Sequence, residues 1–156
     1  MTTTTAQGLD GLIALAGRDL GRTDWLEITQ ERVNTFADAT DDHQWIHTDP
    51  ERAKSGPFGG PIAHGYLTLS LVIPLFSDLL EIQDVSMSVN YGLEKVRFPS
   101  PVPVGSRIRL HGTVEEVKEV KEVKGNGVQM RLTFTVEVEG NAKPACVAEA
   151  VYRHYA

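Results

Sequence analysis

Val128, Met130, Leu132, Phe134, Val136 and Val138 alternate with polar neighbours, which is the period of a strand with one buried face. Residues 85–98, 106–123 and 144–154 are also rich in Val, Ile, Phe and Tyr and predict further strands, with the alternating run itself falling in a strand over 127–139. Gly125-Asn126-Gly127 predicts a hairpin turn between two of them. The Val117 to Val123 stretch repeats every three residues instead and is read as a solvated strand end with a bulge.

The first half of the chain carries a different spacing. Val33, Phe36, Ala37 and Thr40 fall at i, i+3, i+4 and i+7, predicting an amphipathic helix over 30–40 with Thr29 as its N-cap. Residues 9–16 predict a short helix and 25–28 a short strand. Pro and Gly crowd residues 50–62, which reads as an irregular loop with a helical turn at 50–54. From His64 to about Leu80 the helix is apolar nearly all round, so it should be buried. Pro74 cannot donate to the Ser70 carbonyl, which predicts a kink or local break there. Helices segregated from a run of long strands give the α+β class. The layout is a single hot-dog fold, a long antiparallel sheet wrapped around a central apolar helix. It is assigned to residues 9–156, with residues 1–8 as a flexible N-terminal tail.

Composition narrows the function classes. At 156 residues, 41% apolar and 23% charged, the chain reads as one globular domain. A net charge of −6 argues against a nucleic-acid partner, which needs a basic face. No signal-peptide pattern opens the chain, and the apolar run Leu67 to Phe76 is too short to span a bilayer, so no membrane partner and a cytoplasmic location are expected. The single cysteine, Cys146, sits in a strand-like apolar run and reads as a core residue.

Chemistry concentrates in Asp41-Asp42-His43-Gln44-Trp45-Ile46-His47, just after the 30–40 helix. Asp42 and His47 form a candidate acid/base dyad, with the imidazole titrating in the useful range. Hydration of an α,β-unsaturated thioester needs a group to activate water, a proton donor and fixed N–H donors for the thioester oxygen. Each acid/base contribution is worth about 10²–10⁴ in rate. Which of the two residues takes the proton is left open. The bland alternative is a solvated helix end with a packed histidine. A metal site would recruit Asp42, His43, His47 and His64, but the helical H-E-x-x-H pattern is absent, and no metal is assigned. His43 is expected to be exposed. Gly65, in Ala63-His64-Gly65, opens the apolar helix, where unpaired N–H groups and the dipole favour an anion; tight packing is the alternative. Lys95 and Arg97 are candidate partners for a CoA phosphate, or solvated edge charges.

With these residues in view, the chain resembles the MaoC-like (R)-specific enoyl-CoA hydratases, also called hydratase 2. Their signature Gly-Asp-x-Asn-Pro-aliphatic-His keeps its Asp, aliphatic residue and His here as Asp42, Ile46 and His47. Asp41, Gln44 and Trp45 depart from it. The family's Ala-His-Gly segment is present at 63–65, and Ser70 matches a small polar position near the family's active site. The Asp42 to His47 form, together with Asn90 to Pro99, is similar to an actinobacterial subgroup related to nodulation protein N. The resemblance spans about residues 20–153. It implies a hot-dog homodimer without metal or organic cofactor, with a catalytic water held by Asp42 and His47. The Gly65 N–H would bind the thioester oxygen, His64 and Ser70 would lie at the substrate, and Trp45 would shape the acyl pocket. The first functional reading is conversion of trans-2-enoyl-CoA to (R)-3-hydroxyacyl-CoA. Thioester hydrolysis on the same fold and non-catalytic binding of acyl thioesters are the alternatives, since one fold hosts several functions.

Overall fold

The structure, a computed structural model, describes residues 1–122 and 125–156. In chain order, strand β1 (Thr4–Gln7) leads into helix α1 (Gly8–Ile13), followed by strands β2 (Asp19–Arg22) and β3 (Leu26–Glu27). Five helices come next: α2 (Gln30–Thr40), α3 (Trp45–Thr48), α4 (Pro50–Lys54), α5 (Gly65–Ser70) and α6 (Val72–Leu79). Strands β4 (Leu80–Gln83), β5 (Met87–Arg97), β6 (Arg107–Glu122), β7 (Gly125–Val138) and β8 (Cys146–Tyr155) follow.

One antiparallel sheet runs in the order β2-β6-β7-β8-β5, with β3 also pairing to β6. Along β7 every second residue from Val128 to Val136 is at most 1% exposed, so the alternating pattern does mark the inner face. Ile108, Leu110 and Val114 of β6 and Cys146, Ala148 and Ala150 of β8 extend that face. Burial pushes the Cys146 thiol up to about 11, which suits an inert core residue. Val72, Leu75, Phe76 and Leu79 form one stripe of α6 and are buried against the sheet. The Phe76 ring centroid lies 5.2 Å from Phe134 and 5.5 Å from Tyr152. Gly112 permits this approach, since a Cβ there would come within 3.3 Å of both Leu79 and Phe134. This is the hot-dog arrangement of a helix held in the curve of a sheet. Among the described residues, no helix is long and apolar enough to cross a membrane.

Helix α2 matches its predicted span, and the Thr29 hydroxyl accepts from the Arg32 N–H at 3.1 Å. Thr29→Ala should lower stability by about 1 kcal/mol. Urea unfolding checks this, and an unchanged midpoint would show that the cap contributes nothing.

Several elements differ from the sequence reading. Residues 1–8 were expected to form a flexible tail, yet Thr4–Gln7 is a strand paired in parallel with β4, and Ala6 is buried. Its β-branched threonines suit an extended edge, and β4 supplies the partner. The buried helix does break, but at Leu71, ahead of Pro74. The restart places Pro74 in the first turn of α6, where its missing N–H has no intrahelical acceptor to lose. Gly125, Asn126 and Gly127 are not the hairpin turn. They are strand residues of β7, paired with Glu122, Lys121 and Val120. The register shift in β6 lies at Glu115, upstream of the period-three stretch, whose described residues, 117–122, pair regularly with β7.

Candidate functional site

The site is built where α2 ends. Asp41 caps the helix in the left-handed region, with φ 59°. Asp tolerates that conformation better than most side chains, and glycine, its counterpart in the signature, does so freely. The turn aims the next residues back toward α5. Helix α3, a single turn where a plain turn was expected, then carries His47 inward, leaving it 7% exposed.

His47 is held by backbone. Its Nδ1 lies 2.7 Å from the Ile62 carbonyl, and a carbonyl only accepts, so Nδ1 carries the proton. In the neutral ring Nε2 is therefore a bare lone pair. Ile62 is itself tied down: its N–H donates to the Ile46 carbonyl, and neighbouring Ala63 donates to Val102. Gln30 of α2 donates to the His47 carbonyl at 2.8 Å. Burial holds His47 below the usual imidazole value of 6.5. His64 lowers it further, while the Ile62 hydrogen bond and the Asp42 charge oppose the shift.

His64 is 2% exposed and wedged between two rings. It stacks on His47 with centroids 3.8 Å apart and an interplanar angle of 25°, and tilts against Phe36 at 4.8 Å. Its Nε2 donates to the backbone carbonyl of Asp42 at 3.0 Å, and the Asp42 carboxylate stands 4.0 Å away. Its Nδ1 is buried without a hydrogen-bond partner among the described residues. The sequence reading placed His64 at the substrate, but this geometry makes it a positioning residue that clamps the Asp42 turn and backs the His47 ring.

Asp42, His47 and His64 each offer an atom, all within 4.8 Å of one another. One water can bridge groups at that separation. A metal ion fits poorly. Each imidazole binds an ion in its own ring plane, and two stacked planes have no common point near both nitrogens. His43, the other residue of the metal alternative, is exposed and faces Asp38 at 3.8 Å.

Gly65 is the first residue of α5, so its N–H has no acceptor within the helix. A Cβ there would lie 3.4 Å from the Phe98 ring, which is ordinary contact. The packing alternative is thus partly met, and Phe98 becomes a wall of the site. Lys95 and Arg97 are exposed on β5, the strand leading to Phe98. Ser70 is exposed at the end of α5, and its hydroxyl donates back to the Tyr66 carbonyl at 2.7 Å. Trp45 packs away from its predicted role. The Arg52 guanidinium sits 4.4 Å over its ring, and a Cβ at Gly56 would approach it to 2.9 Å. Its contacts are those of a peg joining α3 to α4. Ile62, Phe36 and Phe98 were missed by the sequence reading. Ile62 acts through its carbonyl, which leaves no side-chain signal, while the helical spacing had marked Phe36 only as a packing residue.

The model for the MaoC like domain matches residues 13–137. The chain is 54% identical over 153 residues to 3-hydroxyacyl-thioester dehydratase Z of Mycobacterium tuberculosis, covering 97% of this chain and 99% of that protein. It is 44% identical over 137 residues to nodulation protein N of Rhizobium leguminosarum bv. viciae, covering 85% and 81%. Among solved structures, the (R)-hydratase from A. caviae involved in PHA biosynthesis superposes with a TM-score of 0.69 at 27% identity, covering 88% of this chain and 94% of that one.

Proposed function

The chain belongs to the MaoC-like dehydratase family and is a hydro-lyase, and we propose that it interconverts trans-2-enoyl-CoA and (R)-3-hydroxyacyl-CoA with Asp42 and His47 as its dyad. The observation that carries this reading is the Ile62 carbonyl on His47 Nδ1, which leaves Nε2 as a free base on a ring clustered with the Asp42 carboxylate. In the hydration direction, Nε2 takes a proton from water, whose oxygen bonds to C3 of the enoyl chain. Asp42 accepts the water's other hydrogen in a hydrogen bond and fixes its direction. Charge moves onto the thioester oxygen, where the Gly65 N–H donates; such a donor is worth about 3–4 kcal/mol. The imidazolium then returns its proton to C2, and the dyad is restored.

The same reading places Lys95 and Arg97 at the CoA phosphates, Ser70 beside the acyl chain and the enzyme in the cytoplasm. It also pairs two copies into a homodimer. Edge strand β5 exposes Met87, Tyr91 and Leu93, apolar surface of the kind a second copy covers.

Crotonyl-CoA tests the chemistry. Hydration yields 3-hydroxybutyryl-CoA of R configuration with no free thiol. Thiol release without the hydroxyacyl product would make the chain a thioesterase instead. The pH profile has a definite sign. Only neutral His47 is a base, and burial holds its pKa below 6.5. The acid limb of kcat/KM should therefore fall below pH 6.5, with activity lost as pH drops through the lowered value. A limb above 6.5 would point to another base.

A further inference from the structure

Helix α3 is a single turn, running from Trp45 to Thr48. Helices shorter than about 12–15 residues are marginal on their own in water, so α3 does not hold its own direction. Its last carbonyls also lack the N–H groups of a following turn. Asp49, with φ −120° and ψ 89°, turns the chain out of the helix before residue 51 could reach the His47 carbonyl. The backbone that carries the His47 ring therefore needs partners from elsewhere in the fold.

Gln30 supplies one. It is the first residue of α2 and half-buried, and its Nε2 lies 2.8 Å from the His47 carbonyl and 2.9 Å from Asn34 Oδ1. A carbonyl only accepts, so the atom facing it is the amide nitrogen, and both of its N–H groups are used. The Asn34 bond is an ordinary i, i+4 pair on one helix face and orients the amide. The His47 bond spans 17 residues and joins two helices. Helix α2 carries Gln30 at its start and Asp42 one residue past its C-cap, Asp41. Residues 42–44, which link Asp41 to α3, belong to no helix or strand. Gln30 thus refers the His47 backbone to the same helix that ends in the Asp42 turn.

We propose that Gln30 is a positioning residue for the reaction, holding the His47 carbonyl to α2 so that the ring keeps its place beside Asp42. The inference rests on His47 being the base. Ile62 fixes the ring through Nδ1, and Gln30 fixes the backbone behind it, so two points together set where the Nε2 lone pair stands. Without the Gln30 donor the His47 carbonyl turns toward water, and α3 carries the ring with it.

Two substitutions of similar shape test the proposal. Gln30→Met removes the donors. Gln30→Glu also removes them, but an acid in the first turn of a helix is favourable, so this variant keeps its melting temperature. With crotonyl-CoA, kcat should fall about tenfold or more in both variants at unchanged KM, since a shift of about 1 Å can cost 10²-fold. In the His47→Ala background, Gln30→Met should change the residual rate by less than about twofold, because the side chain acts through the missing ring. A second readout needs no turnover. The His47 Nδ1–H proton, identified in ¹⁵N-labelled wild type by its absence from His47→Ala, should exchange with solvent at least about tenfold faster in both Gln30 variants. Wild-type kcat in Gln30→Glu, a kcat loss as large in the His47→Ala background, an unchanged exchange rate, or no such proton in wild type would overturn the proposal. The two readouts keep the readings separate. A wild type that shows the proton and its Gln30 dependence but leaves crotonyl-CoA untouched overturns the hydratase assignment alone. Hydration at full rate in both Gln30 variants overturns the positioning role alone.

Discussion

His47→Ala is expected to lower kcat for enoyl-thioester hydration by about 10³-fold, the middle of the range for a lost general base. The ring is fixed by a backbone carbonyl and keeps a bare nitrogen in the cluster that holds Asp42. Its Nδ1 is committed to Ile62, and His64, the neighbouring ring, is committed through Nε2 to the Asp42 backbone. His64 keeps its own free nitrogen, Nδ1, but that atom is buried and has no contact with water. KM should change little, because the lost contact is to water and not to the body of the substrate. The substitution also removes the donor for the Ile62 carbonyl and one side of the ring stack. An unsatisfied buried acceptor costs about 1–3 kcal/mol, so the melting temperature should drop while the protein stays folded. Steady-state kinetics and a circular-dichroism melt on one preparation separate the two effects. A folded variant that keeps more than about a tenth of wild-type kcat would remove His47 from the chemistry.

Asp42→Asn is expected to lower kcat by about 10²-fold or more. The amide keeps the shape of the carboxylate but cannot hold the water as a charged acceptor does. Stability should stay within about 0.5 kcal/mol of wild type, because the side chain is half-exposed and His64 bonds the backbone carbonyl that every residue at 42 retains. The contrast with His47→Ala is informative: both variants lose turnover, and only the histidine variant loses stability. A marked fall in melting temperature for Asp42→Asn, with kcat preserved, would make the residue part of the fold and not of the reaction.

The elements that were legible in the sequence are those whose pattern repeats within a single segment. Strand β7 announces itself because all its core residues share one parity, and α2 because Thr29 caps a clean helical stripe. Elements fixed by a distant partner left weaker traces. Strand β1 exists through pairing with β4, and β2 through pairing with β6, and neither carries an alternating run of its own. The interruption at Leu71 precedes the proline that signalled it, since a helix restarted there accommodates Pro74 in its first turn. The site divides the same way. Asp42 and His47 stand close in sequence and form a recognisable motif. The groups that orient them are a backbone carbonyl at Ile62 and a ring on another helix, and only the folded chain brings those together. His154 has the parity of the core residues of β8, so a polar side chain on the inner face was visible in principle once the strand's register was known.

The most direct test of the account follows the enoyl ultraviolet absorbance of crotonyl-CoA with wild type, His47→Ala and Asp42→Asn side by side. The account predicts rapid loss of absorbance with wild type and loss slowed by orders of magnitude in both variants. Absorbance that persists with folded wild type, or falls equally fast in all three, would contradict the assignment of Asp42 and His47 as the dyad that delivers water.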